Sequence, residues 1–269
     1  MQTNRDIFNQ LIREDKIEIQ RSDLFDHAPE PISHDSIFDR VQGMMLGLAI
    51  GDALGNTTEG LLPETRSEYV GEIRGYLPNQ YAGNAEKGLP TDDTQMAFWT
   101  LEQVLADGEF IPKNLADRFC KEQIFGLGST VRQFIINYKS GTPWYESGPH
   151  SAGNGALMRI APMLIPYIKK GSADLWIDTA LSAMMTHKDT GSIAACLAFV
   201  YMYRELMQMD TPPEPHWWID TYVKIAKNLE IWKAYKPRGG FFMNYSGPIW
   251  AFVDEKVRHT FDQNLPTIN

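Results

Sequence analysis

The sequence predicts an all-α protein, and two observations carry that expectation. From Ile37 onward apolar residues recur at helical spacing, as in Leu101, Val104 and Leu105, or Ile193, Leu197, Val200 and Tyr201. Strand signals are almost absent, the best being the short stretch EYVGEIRGYL from Glu68 to Leu77.

Taken in order, residues 1–36 stand apart as an acidic arm and linker. They carry eight acids against four bases, with Phe8, Leu11 and Ile12 marking a short amphipathic helix before Pro29 and Pro31 break the pattern. The arm is too poor in apolar residues to build its own core. Residues 37–269 form the main helical domain. In FDRVQGMMLGLAIGDALG, Gly43, Gly47, Gly51 and Gly55 recur every fourth residue, which stacks them along one side of a helix. Such a stripe costs about 1 kcal/mol per glycine, so a second backbone is expected to approach closely there, with Gly51 and Gly55 past the helix end. Further helices are expected over Thr91–Leu105, Pro112–Ile124, Ser129–Tyr138, Ala173–Met185, Thr190–Met209 and Pro215–Leu229, with MDTPPEPHWW as a proline-marked loop. The tryptophans at 217, 218, 232 and 250 are expected in the core.

The 269 residues suffice for a full core, and 43% hydrophobic with 22% charged is ordinary for a globular chain. A net charge of −9 argues against nucleic-acid binding. The polar N-terminus is no signal peptide, and Met44–Ile50 is far shorter than the roughly 20 apolar residues of a membrane span. Cys120 and Cys196 read as buried thiols rather than a disulfide. These observations together predict a soluble, cytoplasmic protein.

The chemistry concentrates at TDDTQMA. Thr91, Asp92, Asp93 and Thr94 offer more oxygens than one helix start needs. Asp92 can cap the helix, Gln95 can complete a capping box, and Asp93 suits the helix dipole. Adjacent carboxylates also repel unless a cation lies between them, and a hard divalent ion would take oxygen ligands of this kind. Glu59, in the small-residue stretch GDALGNTTEG, reads either as a surface acid or as an acid or base facing a pocket. SAGNGALMRIAP places Asn154 between Gly153 and Gly155 in a turn with exposed backbone N–H groups, with Arg159 one turn into a following helix. Gly126, Gly128 and Ser129 open a helix as a phosphate cradle would, or as an ordinary capped start. His187 sits at a junction between two helices, where a packing role is the ordinary one.

In order, GMMLGLAIGDALG, TDDTQMA, GNGALMRIAP and the TH pair before a small-residue helix resemble the ADP-ribosylglycohydrolase family, over about Phe38 to Trp250. The resemblance implies a compact orthogonal helical domain and two Mg2+ ions in a central cleft, which hold the ribose and position water. It assigns Thr91, Asp92 and Asp93 to metal ligation, and Glu59 and Asp93 to catalysis. Gly126, Gly128, Ser129, Asn154, Gly155 and His187 fall where members bind ADP-ribose. The substrate implied is an ADP-ribosylated protein side chain, most often arginine. The family's second Asp-rich metal loop has no counterpart after His187: Asp254, Glu255 and Asp262 lack its glycine-rich setting. The expectation is therefore a domain missing its C-terminal part, with weakened catalysis. A different class of function, an immunity protein, would use Asp23, Asp26 and Glu30 of the acidic arm to block an ADP-ribosyltransferase toxin.

Overall fold

The computed structural model of the chain describes residues 2–79, 87–236 and 244–263. Among them the architecture is a packed array of helices with one small hairpin. The helices are α1 (Asn4–Arg13), α2 (Ile37–Gly55), α3 (Pro63–Tyr69), α4 (Asp92–Asp107), α5 (Pro112–Phe119), α6 (Ser129–Lys139), α7 (Trp144–Ser147), α8 (Asp174–Thr186), α9 (Thr190–Leu206), α10 (Pro215–Ala226), α11 (Ile249–Phe252) and α12 (Arg258–Asp262). A hairpin of β1 (Ala234–Tyr235) and β2 (Tyr245–Ser246) pairs antiparallel, Ala234 opposite Ser246 and Tyr235 opposite Tyr245. No described helix is long and apolar enough to cross a membrane.

The centre of the core is α8, whose residues from Leu175 to Thr186 are all buried. A helix buried on every side must be enclosed by others, and α8 meets α1, α5, α6, α7 and α9. The side chain of Asp189 caps α9 through Gly191 N at 2.9 Å, so the chain reverses in three residues between α8 and α9. Cys196 is buried, Cys120 half-buried, and both are free thiols.

The N-terminal segment is a packed strap. Phe8, Leu11, Ile17, Ile19, Phe25 and Ile32 join the same core as α8. Arg5 pairs with Asp174 at 2.8 Å, Trp176 Nε1 donates to His27 O at 2.9 Å, and Ile32 N donates to Ile168 O at 2.7 Å. The segment was too apolar-poor for a core of its own, and its few large side chains instead complete another.

Several local expectations are corrected. EYVGEIRGYL forms no strand: its first two residues end α3, and backbone pairing nearby is a single bridge between Pro78 and Lys87. α2 continues through Gly51 and Gly55. A Cβ built at Gly43, Gly47, Gly51 or Gly55 would meet nothing within 4 Å, so the glycine stripe faces open space rather than a second backbone. α5 stops at Phe119, five residues early, because Cys120 N turns back to Asp117 O and Arg118 O. Trp232 is 68% exposed and Trp218 is 40% exposed, so these two lie outside the core.

Candidate active site

The site begins where α2 ends and α4 starts. Thr91 occupies the N-cap of α4, yet its own side chain makes no cap bond. The donors at this helix start are taken by Asp52 of α2. Asp52 Oδ2 accepts from Thr91 N at 2.7 Å, Thr94 N at 3.1 Å and Thr94 Oγ1 at 2.7 Å, and Oδ1 accepts from Thr91 Oγ1 at 2.8 Å. The expected cap by Asp92 and capping box through Gln95 are thus replaced. A carboxylate from another helix holds the free N–H groups, and the helix dipole favours it there. Gln95 instead clamps the loop before α6, donating to Gln123 O and accepting from Phe125 N, both at 3.0 Å.

That clamp brings the Gly126–Ser129 loop onto α4. Gly126 has φ +74°, and a Cβ there would lie 3.1 Å from Thr91 Cβ and 3.2 Å from Asp92 Oδ1. Glycine is required for both the backbone angle and the close approach. Gly128 N donates to Asp92 Oδ2 at 3.4 Å, a long contact that turns this carboxylate toward the loop.

Asp93 lines a cleft of about 380 Å³ together with Asp52, Glu59, Arg66, Thr91 and Asn154. Apart from its own backbone N–H, no described group donates to Asp93, and no described cation pairs with it. Burial, then the neighbouring Asp52, Asp92 and Glu59, push its carboxyl up to about 7. Burial likewise pushes Asp92 up to about 6, against the pull of Gly128 N. A second groove of about 650 Å³ shares Asp93 and Asn154 and runs along Gly43 and Gly47, the open side of α2. A third, of about 660 Å³, shares Glu59 and runs past Gly126, Gly128 and Arg132. Asp93 and Asn154 therefore join the first cleft to the second groove, and Glu59 joins it to the third.

The structure thus brings together Glu59, Thr91, Asp93 and Asn154, with Asp92, Gly126 and Gly128 against one wall. Ser129 is the exposed first residue of α6. Gly155 and His187 lie in contact beside Asn154, the ring being only 2% exposed. Asp23, Asp26 and Glu30 are exposed and line none of these three concavities; Asp26 pairs with Arg21 at 2.8 Å. Arg159 stands in a short 3-10 turn rather than a longer helix, and it is fully buried. Sequence reasoning missed Asp52 as the organiser of the site. The signal was the surplus of donors at Thr91 and Thr94, which demanded an acceptor from outside the helix.

Among the described residues no group of three His, Cys, Asp or Glu side chains stands ready to hold a metal ion.

Comparison with known proteins shows which family the chain resembles. The ADP-ribosylglycohydrolase family profile matches residues 33–244. An ADP-ribosylarginine hydrolase, Tri1, from Pseudomonas putida is 28% identical over 61% of this chain and 46% of its own. The ADP-ribosyl-[dinitrogen reductase] glycohydrolase of Rhodospirillum rubrum is 31% identical over 64% of this chain and 59% of its own. A solved structure titled ADP-ribosylglycohydrolase-related protein complex superposes with TM-score 0.53 at 28% identity, over 72% of this chain and 62% of that one. The chain spans about half the length of the curated relatives it matches. The match of its profile across most of the chain, together with the helical fold, makes the protein a member of the ADP-ribosylglycohydrolase family.

Proposed function

We propose that the chain is a metal-dependent hydrolase that binds ADP-ribose and cleaves the N-glycosidic bond joining it to a protein side chain, arginine being the acceptor favoured by the relatives' names. The carrying observation is the unpaired Asp93 carboxylate in a cleft with Glu59, Asp52 and Asn154. Carboxylates crowded without a cation are unfavourable unless protonated or bound to one.

The donor chemistry, rather than a formed ligand set, is what suits a hard cation here. Thr91 Oγ1, Asp92 and Asp93 are oxygen ligands of the kind Mg2+ takes, and Thr91 Oγ1 retains lone pairs while donating to Asp52. When bound, the ion would hold ribose hydroxyls and orient the water at the reacting carbon. The chain's own residues do the rest. Asp52 fixes the position of Thr91 and the start of α4. Glu59, exposed at the junction of two concavities, can take the proton of the attacking water and deliver one to the departing guanidine nitrogen. The Gly126–Ser129 loop and the turn at Asn154–Gly155 offer backbone N–H groups to the diphosphate.

Calorimetry with magnesium, then ADP-ribose, on the chain and on Asp93→Ala tests the reading. It expects magnesium-dependent ADP-ribose binding that Asp93→Ala abolishes, followed by release of ADP-ribose from ADP-ribosylated arginine. No binding by the unmutated chain would refute it. An immunity role for Asp23, Asp26 and Glu30 is tested by their triple alanine variant against an ADP-ribosyltransferase, since those side chains are exposed and can be changed without touching the core.

A further inference from the structure

Arg159 carries a charge in the centre of the fold with no carboxylate beside it among the described residues. Its guanidinium donates to Ser182 Oγ at 3.0 Å, Ser182 O at 2.8 Å and Thr186 Oγ1 at 2.9 Å, and lies 5.0 Å over the Phe119 ring. A buried cation satisfied only by neutral oxygens is an expensive way to pack a core. Its arrangement has a specific consequence one residue further along.

A threonine inside a helix usually donates its hydroxyl proton to the carbonyl four residues back, as Thr100 does to Met96 O at 2.8 Å. For Thr186 that carbonyl is Ser182 O, which takes an Arg159 N–H instead. Thr186 Oγ1 has two polar neighbours among the described residues, Arg159 Nη2 and His187 Nδ1, the latter at 3.0 Å. A guanidinium can only donate, so the hydroxyl proton has one acceptor left, His187 Nδ1. Nδ1 is then unprotonated, and the neutral ring carries its hydrogen on Nε2. Burial, with Arg159 close by, holds the ring well below the usual imidazole range, so it stays neutral.

The protonated edge faces the Gly153–Gly155 turn. A Cβ on Gly155 would stand 2.7 Å from His187 Cε1 and 3.0 Å from Nε2, and one on Gly153 would stand 3.6 Å from Nε2. No described group accepts the Nε2 hydrogen. Asn154, between those glycines, lines the cleft with Asp93.

We propose that Arg159 and Thr186 are positioning residues that fix His187 as the neutral Nε2–H tautomer, so that the ring offers one N–H donor, and no lone pair, to an oxygen of the ADP-ribosyl group lodged against the Gly153–Gly155 turn. This rests on the reading of the cleft as an ADP-ribose site. The opposite tautomer would point a lone pair at that oxygen and repel it. The arrangement therefore explains why a cation is buried where nothing neutralises it: it occupies the competing acceptor and hydroxyl lone pair, and leaves the threonine proton one destination.

Long-range nitrogen–proton NMR on the histidine-labelled chain at neutral pH tests the tautomer directly, with His187→Asn used to assign the signal. The expected spectrum shows Nδ1 unprotonated and Nε2 protonated. Thr186→Val removes the hydroxyl and should mix the tautomers and weaken ADP-ribose binding about tenfold, the worth of one hydrogen bond. Thr186→Ser keeps the hydroxyl and should restore both. A proton on Nδ1 in the unmutated chain, or an unaltered tautomer and affinity in Thr186→Val, overturns the proposal. If the unmutated chain shows the expected tautomer but binds no ADP-ribose, the tautomer assignment stands and the binding role falls together with the functional reading.

Discussion

Replacing Asp52 with alanine tests the claim that the site is assembled by a carboxylate borrowed from another helix. Asp52 accepts four hydrogen bonds, two from backbone N–H groups and two from hydroxyls, all at the start of α4. A hydrogen bond to a charged group contributes about 1.5–3 kcal/mol, and loss of a helix cap costs about 0.5–2 kcal/mol. Two effects reduce the sum. The cleft is open, so water re-satisfies part of the freed donors, and removing one carboxylate relieves its repulsion of Asp92 and Asp93. A net loss of roughly 2–3 kcal/mol remains, which for a chain of this size lowers Tm by about 5–10 °C. The assay is thermal unfolding without added metal, with Asp93→Asn as the contrasting variant. Asp93 receives no side-chain donor and suffers repulsion from three acids, so its neutralisation should leave Tm unchanged or raise it. An Asp52→Ala protein that melts within about 1 °C of the unmutated chain would refute the reasoning. So would an Asp93→Asn protein that falls as far as Asp52→Ala.

Three further predictions concern the frame around the site. Asp178 is buried, accepts from Asn4 Nδ2 at 2.8 Å and from the Tyr167 hydroxyl, and burial pushes its carboxyl up to about 7. Its folded value lies above its unfolded one, so its contribution to stability is full below about pH 4 and is lost as pH rises through about 7. Urea midpoints measured at several pH values should show this decline, and Asp178→Asn should lessen it, the rest coming from Asp92 and Asp93. Gly47→Ala meets open space inside α2 and should raise stability by about 1 kcal/mol, whereas Gly155→Ala drives a methyl to 2.7 Å from His187 Cε1 and should cost about 1–3 kcal/mol and weaken ADP-ribose binding. Deleting residues 1–32 removes Phe8, Phe25 and Arg5, the cation paired with Asp174, so circular dichroism and gel filtration should find an unfolded or aggregated product; a folded, monomeric deletion would contradict the strap.

Helix positions were legible because burial on one side imposes a period of 3.6 residues. α4, α6, α8, α9 and α10 therefore start within a residue of where the apolar spacing put them. EYVGEIRGYL misled because β-branched and aromatic residues say only that a stretch suits a sheet, and among the described residues no strand pairs with it. The glycine stripe misled for a related reason. Its spacing shows that one side of α2 lacks side chains, but not whether backbone or open groove lies opposite.

The sequence by itself determined the helical class, the surplus of oxygens at Thr91–Asp93, and the family, since four motifs in order carried the resemblance that the family profile then matched. Tertiary structure alone decided that Asp52 caps α4 from outside, that Asp93 stands unpaired between two concavities, and that the Arg159 guanidinium orients His187 through Thr186. These depend on contacts between residues 23–42 positions apart along the chain, and hydrogen bonds of that kind are set by how helices pack. The same holds for the N-terminal strap. Its composition was that of a solvated arm, and only the hollow beside α8 decided that Phe8 and Phe25 would be buried there.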